Sequence, residues 1–262
     1  MCGRYVMSYD GGEIGTMLRA ELDAEWSGLV SMSPGTRGPF VAERVDDDGT
    51  PARVLVTGTW GVQGAAWNKP EIKSINARSD GLFRVAKWRE LYRGGNTGLV
   101  PMNGYVEFVE VKPRFKVPVF IHDDGAPLLT AAGLYDPEQE AYTILTMDAD
   151  LGAGEVHTRQ PIFVPEDMHD RWLQVGAGDT PAKGAPDKHK EALKELMDFS
   201  REVTERLDYF AISRDYNNTR QLAADNRRAD LSLLEPDPEM QHLIDTTDFE
   251  PALSPKERKA QR

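Results

Sequence analysis

The chain contains a single cysteine, Cys2, directly after the initiator methionine. Methionine followed by a small residue is the usual context for removal of the first residue, which would leave Cys2 with a free α-amine beside its thiol. Reference pKa values of about 7.7–8.0 for the amine and about 8.5 for the thiol place both near their nucleophilic forms at neutral pH. The amine can condense with an aldehyde to an imine, and the thiolate can then close onto the same carbon. The product is a five-membered thiazolidine, which resists hydrolysis better than the open imine. An N-terminal nucleophile can equally attack an amide, so the position alone leaves both reactions open. A lone cysteine also excludes an internal disulfide and any cysteine-cluster zinc site. Chemistry on a 1,2-aminothiol needs no metal and no cofactor, and none is expected.

Three further positions bear on this chemistry. Glu107 interrupts the apolar run PMNGYVEF, and strand alternation sets Tyr105, Glu107 and Val109 on one face, opposite Val106 and Phe108. A half-buried carboxylate tends towards a raised pKa, which suits proton transfer, whereas a solvent-facing glutamate on a one-sided sheet would be unremarkable. His157 lies in EVHTRQPIFV after a Gly-rich loop and is a side chain that both gives and takes protons near neutrality. Arg159, two residues on, is placed to hold a phosphate. Trp67, in the loop AAWNKP, is either a platform for stacking on a base or a core plug.

The elements that must position these residues are short. Cys2–Ser8, Arg53–Trp60, Leu99–Val111, Val117–His122, Leu128–Leu134, Tyr142–Met147 and Phe210–Ser213 read as strands. Glu13–Leu22, Gly81–Tyr92, Pro165–Leu173 and Asp187–Leu207 have helical spacing or helix-start signals. Ser31–Pro39 reads as a loop built around Pro34-Gly35, and Glu71–Asp80 as irregular. Strands clustered between helices predict an α+β fold around a mainly antiparallel sheet. One domain over residues 1–220 is expected, followed by a polar, loosely ordered tail over residues 221–262.

Charge is unevenly spread. The 262 residues carry 31 Lys/Arg against 43 Asp/Glu, a net charge of −12. Between Trp60 and Lys116, however, ten Lys/Arg, among them Arg78 and Arg84, face five acids. A basic face on an acidic body suits a phosphate backbone, although a solvated mixed-charge surface has the same composition. No window approaches the roughly 20 apolar residues of a bilayer span, and the N-terminus lacks a secretory pattern. A cytoplasmic monomer with no membrane association is the expectation.

The motifs, taken together, resemble the SOS-response-associated peptidase (SRAP) family. They are CGRY at Cys2–Tyr5, SPGT at Ser33–Thr36, WG at Trp60–Gly61, WNKP at Trp67–Pro70 and INAR at Ile75–Arg78. LVPMNGYVEF at Leu99–Phe108, AAGLY at Ala131–Tyr135, TILT at Thr143–Thr146, HTRQP at His157–Pro161 and ISR at Ile212–Arg214 complete the set. The chain departs from the common pattern at Ser31-Met32-Ser33-Pro34, at Phe108 after Glu107, and at Arg159-Gln160-Pro161.

The resemblance implies a barrel-like β core flanked by helices and a protein that processes abasic sites in single-stranded DNA. It implies that Cys2, exposed by self-catalysed loss of Met1, crosslinks to the ring-opened sugar, with weak abasic-site lyase activity as a companion. Asn76 would hold the Cys2 region and the opened sugar. Glu107 would orient the amine and shuttle protons, and His157 would protonate the sugar oxygen. The implied DNA-facing set is Arg4, Pro34, Gly35, Trp67, Arg78, Arg84, Thr146 and Arg159. Apart from the resemblance, an N-terminal-nucleophile amidohydrolase and a noncatalytic single-strand-binding module remain open.

Overall fold

The computed structural model describes residues 2–45, 49–66, 69, 71–149, 151–175, 187–224, 228–249 and 251. In chain order the strands are β1 (Tyr5–Met7), β2 (Glu21–Leu22), β3 (Leu29–Met32), β4 (Arg37–Val45), β5 (Pro51–Trp60), β6 (Asn76–Arg78) and β7 (Thr97–Met102). They continue as β8 (Gly104–Lys112), β9 (Phe115–His122), β10 (Leu129–Asp136), β11 (Ala141–Asp148), β12 (Arg159–Pro161) and β13 (Asp208–Ala211). The helices are α1 (Gly11–Leu18), α2 (Ala86–Arg93), α3 (Leu151–Val156), α4 (His169–Leu173), α5 (Lys188–Thr204), α6 (Thr219–Ala224) and α7 (Pro238–Thr246).

These strands form two sheets. One has the order β13-β9-β8-β1-β3, and the other runs β12-β11-β10-β7-β4-β5-β2 with β6 alongside β11. Parallel pairing of β11 with β5, at Ala141–Thr59 and Tyr142–Trp60, closes β11, β10, β7, β4 and β5 into a ring. The fold is thus a mixed α/β arrangement of large, mainly antiparallel sheets flanked by helices, with a closed barrel-like portion.

The run Leu99–Val111 is largely apolar, and sequence pattern alone reads it as one strand. The structure divides it at Asn103, with β7 in one sheet and β8 in the other. Asn103 makes this change of sheet possible by replacing ladder bonds with side-chain bonds. Its Oδ1 accepts from the Ser8 amide at 2.8 Å, its Nδ2 donates to the Pro127 carbonyl at 3.2 Å, and its own amide donates to Val6 O at 2.8 Å. Gly104 follows because the strands close tightly there. A Cβ at that position would lie 2.3 Å from the Ile121 carbonyl oxygen.

Helix α1 begins earlier than hydrophobic spacing suggests, because Asp10 and Glu13 form a reciprocal capping box. It stops at Arg19, which takes a left-handed conformation (φ 54°), and Glu21–Leu22 then pairs in parallel with β5. In the expected loop Ser31–Pro39, only Ser33–Thr36 is a turn, and β3 and β4 occupy its flanks. Within the stretch read as irregular, Asn76–Arg78 forms β6 by adding in parallel to β11. Such short strands exist through their partners, so local pattern gives little sign of them.

Past residue 220 the chain is more ordered than its polar composition suggests. Helix α7 is capped by Asp237, whose Oδ1 accepts from the Glu239 and Met240 amides. Leu222 and Leu233 join Tyr216, Val6, Val30, Val106, Phe120 and Ile212 in a second buried cluster. The Arg228 carbonyl accepts from the Val30 amide at 2.7 Å. A few large apolar side chains spaced through a charged stretch suffice to dock it, which average composition conceals. Residues 252–262 lie outside the described residues.

Candidate active site

Cys2 leads directly into β1 and is fully buried. Its carbonyl accepts from Asn76 Nδ2 at 2.8 Å, and its thiol points to the Arg4 carbonyl, 3.5 Å away. That same Arg4 carbonyl accepts from the Val106 amide, which ties the approach of β1 to β8. Burial, reinforced by the nearby Glu107 carboxylate, pushes the thiol pKa well above its usual value. Neutral sulfur is therefore the resting form while the site is closed to water.

Glu107 comes from β8, and alternation along that strand holds. Tyr105 and Val109 join it facing the main core, while Val106 faces the second cluster. The Glu107 side chain is buried, and loss of hydration raises its pKa to about 7. A carboxyl poised there exchanges protons at neutral pH in either direction. Asn76, on β6, uses Nδ2 for the Cys2 carbonyl, whereas its buried Oδ1 has no hydrogen-bond partner among the described residues. That atom is an acceptor held beside Cys2.

The β6–β11–β12 ladder carries the remaining candidates. Thr146 on β11 is in register with Arg78 on one side and Pro161 on the other, and Asp148 is in register with Arg159. His157 is buried at the end of α3, and its Nδ1 accepts from the Arg159 amide at 2.9 Å. That bond directs the proton of a neutral imidazole to Nε2, making Nε2 the donating nitrogen.

The proposed DNA-facing residues fall into distinct environments. Pro34 and Gly35 are exposed at the tip of the Ser33–Thr36 turn, where Gly35 has φ +83° and its amide donates to the Trp60 carbonyl at 2.9 Å. Proline followed by a glycine at positive φ is the type II pattern. Arg84 is largely exposed, and Arg78 is partly buried. Arg4 is half-buried and donates from Nη1 to the Gly3 carbonyl at 2.9 Å. Arg159 and Thr146 point inward. The Arg159 side chain is only 1% exposed, and it donates to Asp148 Oδ1 at 2.5 Å, to Thr146 O at 2.6 Å and to Thr146 Oγ1 at 3.1 Å. Trp67 lies outside the described residues. Among the described residues there is no grouping of three or more His, Cys, Asp or Glu arranged for a metal, and no helix long and apolar enough to cross a membrane.

Motif reading passed over several residues of this region. Asp80 and Asp148 had no signal beyond their charge, yet each holds an arginine of the ladder. Tyr5 and Tyr142 lie 137 residues apart, and nothing in the sequence links them, but their buried hydroxyls meet. The only hint of that contact is a polar-tipped aromatic in each of two strands.

With this geometry in place, comparison with known proteins is decisive for the family. The family model described as SOS response associated peptidase (SRAP) matches residues 1–218. The chain belongs to the SRAP family. This SRAP chain is 26% identical over 186 residues to abasic site processing protein YedK of Escherichia coli, covering 66% of this chain and 80% of that one. It is 24% identical over 231 residues to abasic site processing protein HMCES of Pongo abelii, spanning 72% of this chain and 61% of that longer relative. A crystal structure of a Bacteroides thetaiotaomicron protein shares the SRAP fold seen here, with a TM-score of 0.67 at 18% identity, covering 90% of this chain and 100% of that one.

Proposed function

We propose that this SRAP protein captures abasic sites in single-stranded DNA as a covalent thiazolidine on Cys2. The observation that carries the reading is Asn76 clamping the Cys2 carbonyl at 2.8 Å beside a buried carboxyl, Glu107, that titrates near neutrality. The names of the relatives YedK and HMCES, both abasic site processing proteins, support the same substrate.

The sequence of steps is as follows. Hydrolysis of the Met1–Cys2 peptide bond, catalysed by the protein itself, frees the α-amine. His157 passes its Nε2 proton to the ring oxygen of the abasic sugar as it opens, and the proton released by the C1′ hydroxyl restores the neutral imidazole as the C1′ aldehyde forms. The amine adds to that carbon, and Glu107 takes the ammonium proton and returns it as water leaves, giving the imine. The sulfur then adds to the imine carbon, its proton passing to nitrogen, and the five-membered ring closes. Asn76 holds the terminal residue against the sugar, with Oδ1 accepting from the amine or a sugar hydroxyl. Should the imine persist before sulfur adds, loss of the proton at C2′ leads to β-elimination and a weak lyase activity. A base-free site presents nothing to read on a base edge, so binding falls to phosphate contacts and stacking. Arg4, Arg78, Arg84, Arg159, Thr146, Trp67 and the Pro34–Gly35 turn are the residues proposed for that task.

The test is incubation with a single-stranded oligonucleotide bearing one abasic site, followed by denaturing electrophoresis and intact-mass analysis. The expected result is a heat-stable adduct, lost in Cys2→Ala, on a protein whose mass lacks Met1. Cleavage of a peptide substrate without adduct would instead identify an amidohydrolase, and salt-sensitive binding with no covalent band a simple binding module.

A further inference from the structure

On the reading that this face binds a DNA strand, we propose that Asp80 and Asp148 are built-in phosphate surrogates. Their carboxylates occupy the guanidiniums of Arg78, Arg84 and Arg159 until backbone phosphates displace them. Asp80 meets Arg78 as a two-pronged pair, Nε to Oδ1 at 2.9 Å and Nη2 to Oδ2 at 3.3 Å. The same Oδ2 lies 3.7 Å from Arg84 Nη2. This fork is how arginine receives a phosphate, and carboxylate and phosphate compete for it with similar geometry.

Asp148 does the equivalent for Arg159. The arginine is 1% exposed and the aspartate 83% exposed, so the carboxylate forms the solvent side of an otherwise interior cation. Thr146 O and Oγ1 hold the second nitrogen of that guanidinium, which fixes the orientation of Arg159 independently of Asp148. Removing Asp148 therefore uncovers an aligned guanidinium. The two pairs are adjacent, because Arg78 and Arg159 flank β11 on its two sides, next to Thr146 and Asp148 respectively.

Taken by themselves, the three guanidiniums of Arg78, Arg84 and Arg159 and the two carboxylates of Asp80 and Asp148 sum to one positive charge. An undamaged strand thus gains little from these three arginines, since each of their phosphate contacts first breaks an internal ion pair. A strand carrying an abasic site is retained by its bond to Cys2 instead. The carboxylates shift selectivity away from electrostatic affinity and towards the aldehyde. The Arg78–Asp80 pair is partly exposed and contributes little to folding, whereas Arg159 is an interior cation, so thermal melts of the Asp148 variant are read beside its binding.

Asp148→Asn and Asp80→Asn keep the side-chain size, leave one acceptor oxygen and remove the charge. Binding of an undamaged fluorescent oligonucleotide is measured by anisotropy over a potassium chloride series, with thermal melts confirming the fold. Each variant is expected to bind on the order of fivefold more tightly at about 0.05 M salt, with the log–log salt slope steeper by about 0.7 per carboxylate removed. Unchanged or weaker binding with an unaltered slope would show that the aspartates merely orient the arginines, and would overturn the inference. Adduct formation by the wild type on an abasic oligonucleotide is scored in parallel. An adduct without the charge effect removes this inference and keeps the proposed chemistry, whereas the charge effect without an adduct does the reverse.

Discussion

Tyr5 and Tyr142 place their phenolic oxygens 2.5 Å apart, one from β1 and the other from β11, so that a single hydrogen bond spans the two sheets. Both side chains are fully buried, and Tyr5 also packs edge-on against Trp60 at 5.1 Å between ring centres. Cys2 lies three residues before Tyr5, and Asn76 is carried by β6, which pairs with the strand of Tyr142. The hydroxyl contact therefore joins the two halves of the candidate site. Burial drives both phenols well above their ordinary pKa, so they remain neutral donors and acceptors throughout the physiological range.

A double-mutant cycle tests this bridge. Tyr5→Phe or Tyr142→Phe alone leaves one buried hydroxyl unsatisfied and is expected to cost about 1–3 kcal/mol in urea unfolding. The double variant is expected to recover a large part of that loss, because neither hydroxyl then lacks a partner. Strictly additive losses would mean that the two hydroxyls are not coupled.

Asn76→Ala removes the donor to the Cys2 carbonyl and is expected to slow adduct formation by about tenfold or more, the loss of one positioned hydrogen bond at the reacting group. Affinity for an undamaged oligonucleotide should be retained, since Asn76 bonds to Cys2 and not to the ladder arginines. Single-turnover gel kinetics at saturating protein separate the two effects. Wild-type rates in the variant would remove Asn76 from the site's function.

Glu107 makes stability depend on pH. Its folded pKa, raised by burial to about 7, stands above the ordinary value of 4.5. Between those two values the folded protein holds a proton that the unfolded chain has released, so stability falls as pH rises from about 4.5 to 7 and then levels off. The span corresponds to a loss of order 3 kcal/mol. Glu107→Gln is expected to flatten that slope in urea titrations at pH 5, 6, 7 and 8. It should also slow adduct formation, and the inflection near pH 7 in the rate profile should vanish with it. A variant keeping the wild-type pH profile would assign the proton transfers elsewhere.

Much of this site is legible in the sequence, for identifiable reasons. The period-2 alternation that separates Glu107 from Val106 needs only a strand, and the structure keeps that strand and its two faces. The apolar runs behind β5, β9, β10 and β11 are long enough to declare themselves. The β6 and β12 segments are three residues each and depend on β11 from a distance, so no local pattern announces them. The inward turn of Arg159 is likewise invisible in a motif, since it follows from where Thr146 and Asp148 arrive in the ladder. Charge alone reads an arginine as a surface group.

The segment after residue 218, beyond the family match, is expected to be required for the fold around β1. Leu222 and Leu233 pack with Val6 and Val30, and truncating either to alanine should cost about 2–4 kcal/mol. A chain ending at Asn218 should expose that cluster and aggregate or melt far below the intact protein in a thermal scan. An unaltered melting temperature would mark the segment as dispensable.

The change of sheet at Asn103 sets limits on how this chain can vary. Only one residue separates the barrel strand β7 from β8, which carries the carboxyl, so inserting even one amino acid there would rotate Glu107 to the opposite face and misalign it with the terminal residue. Lengthening the chain between Val45 and Pro51 carries no such penalty, because β4 and β5 are already zipped from Arg37–Thr59 to Val45–Pro51. Drift in length among descendants of this chain should therefore concentrate in peripheral turns and spare the link at Asn103, and grafting of foreign sequence should succeed in the former and fail in the latter.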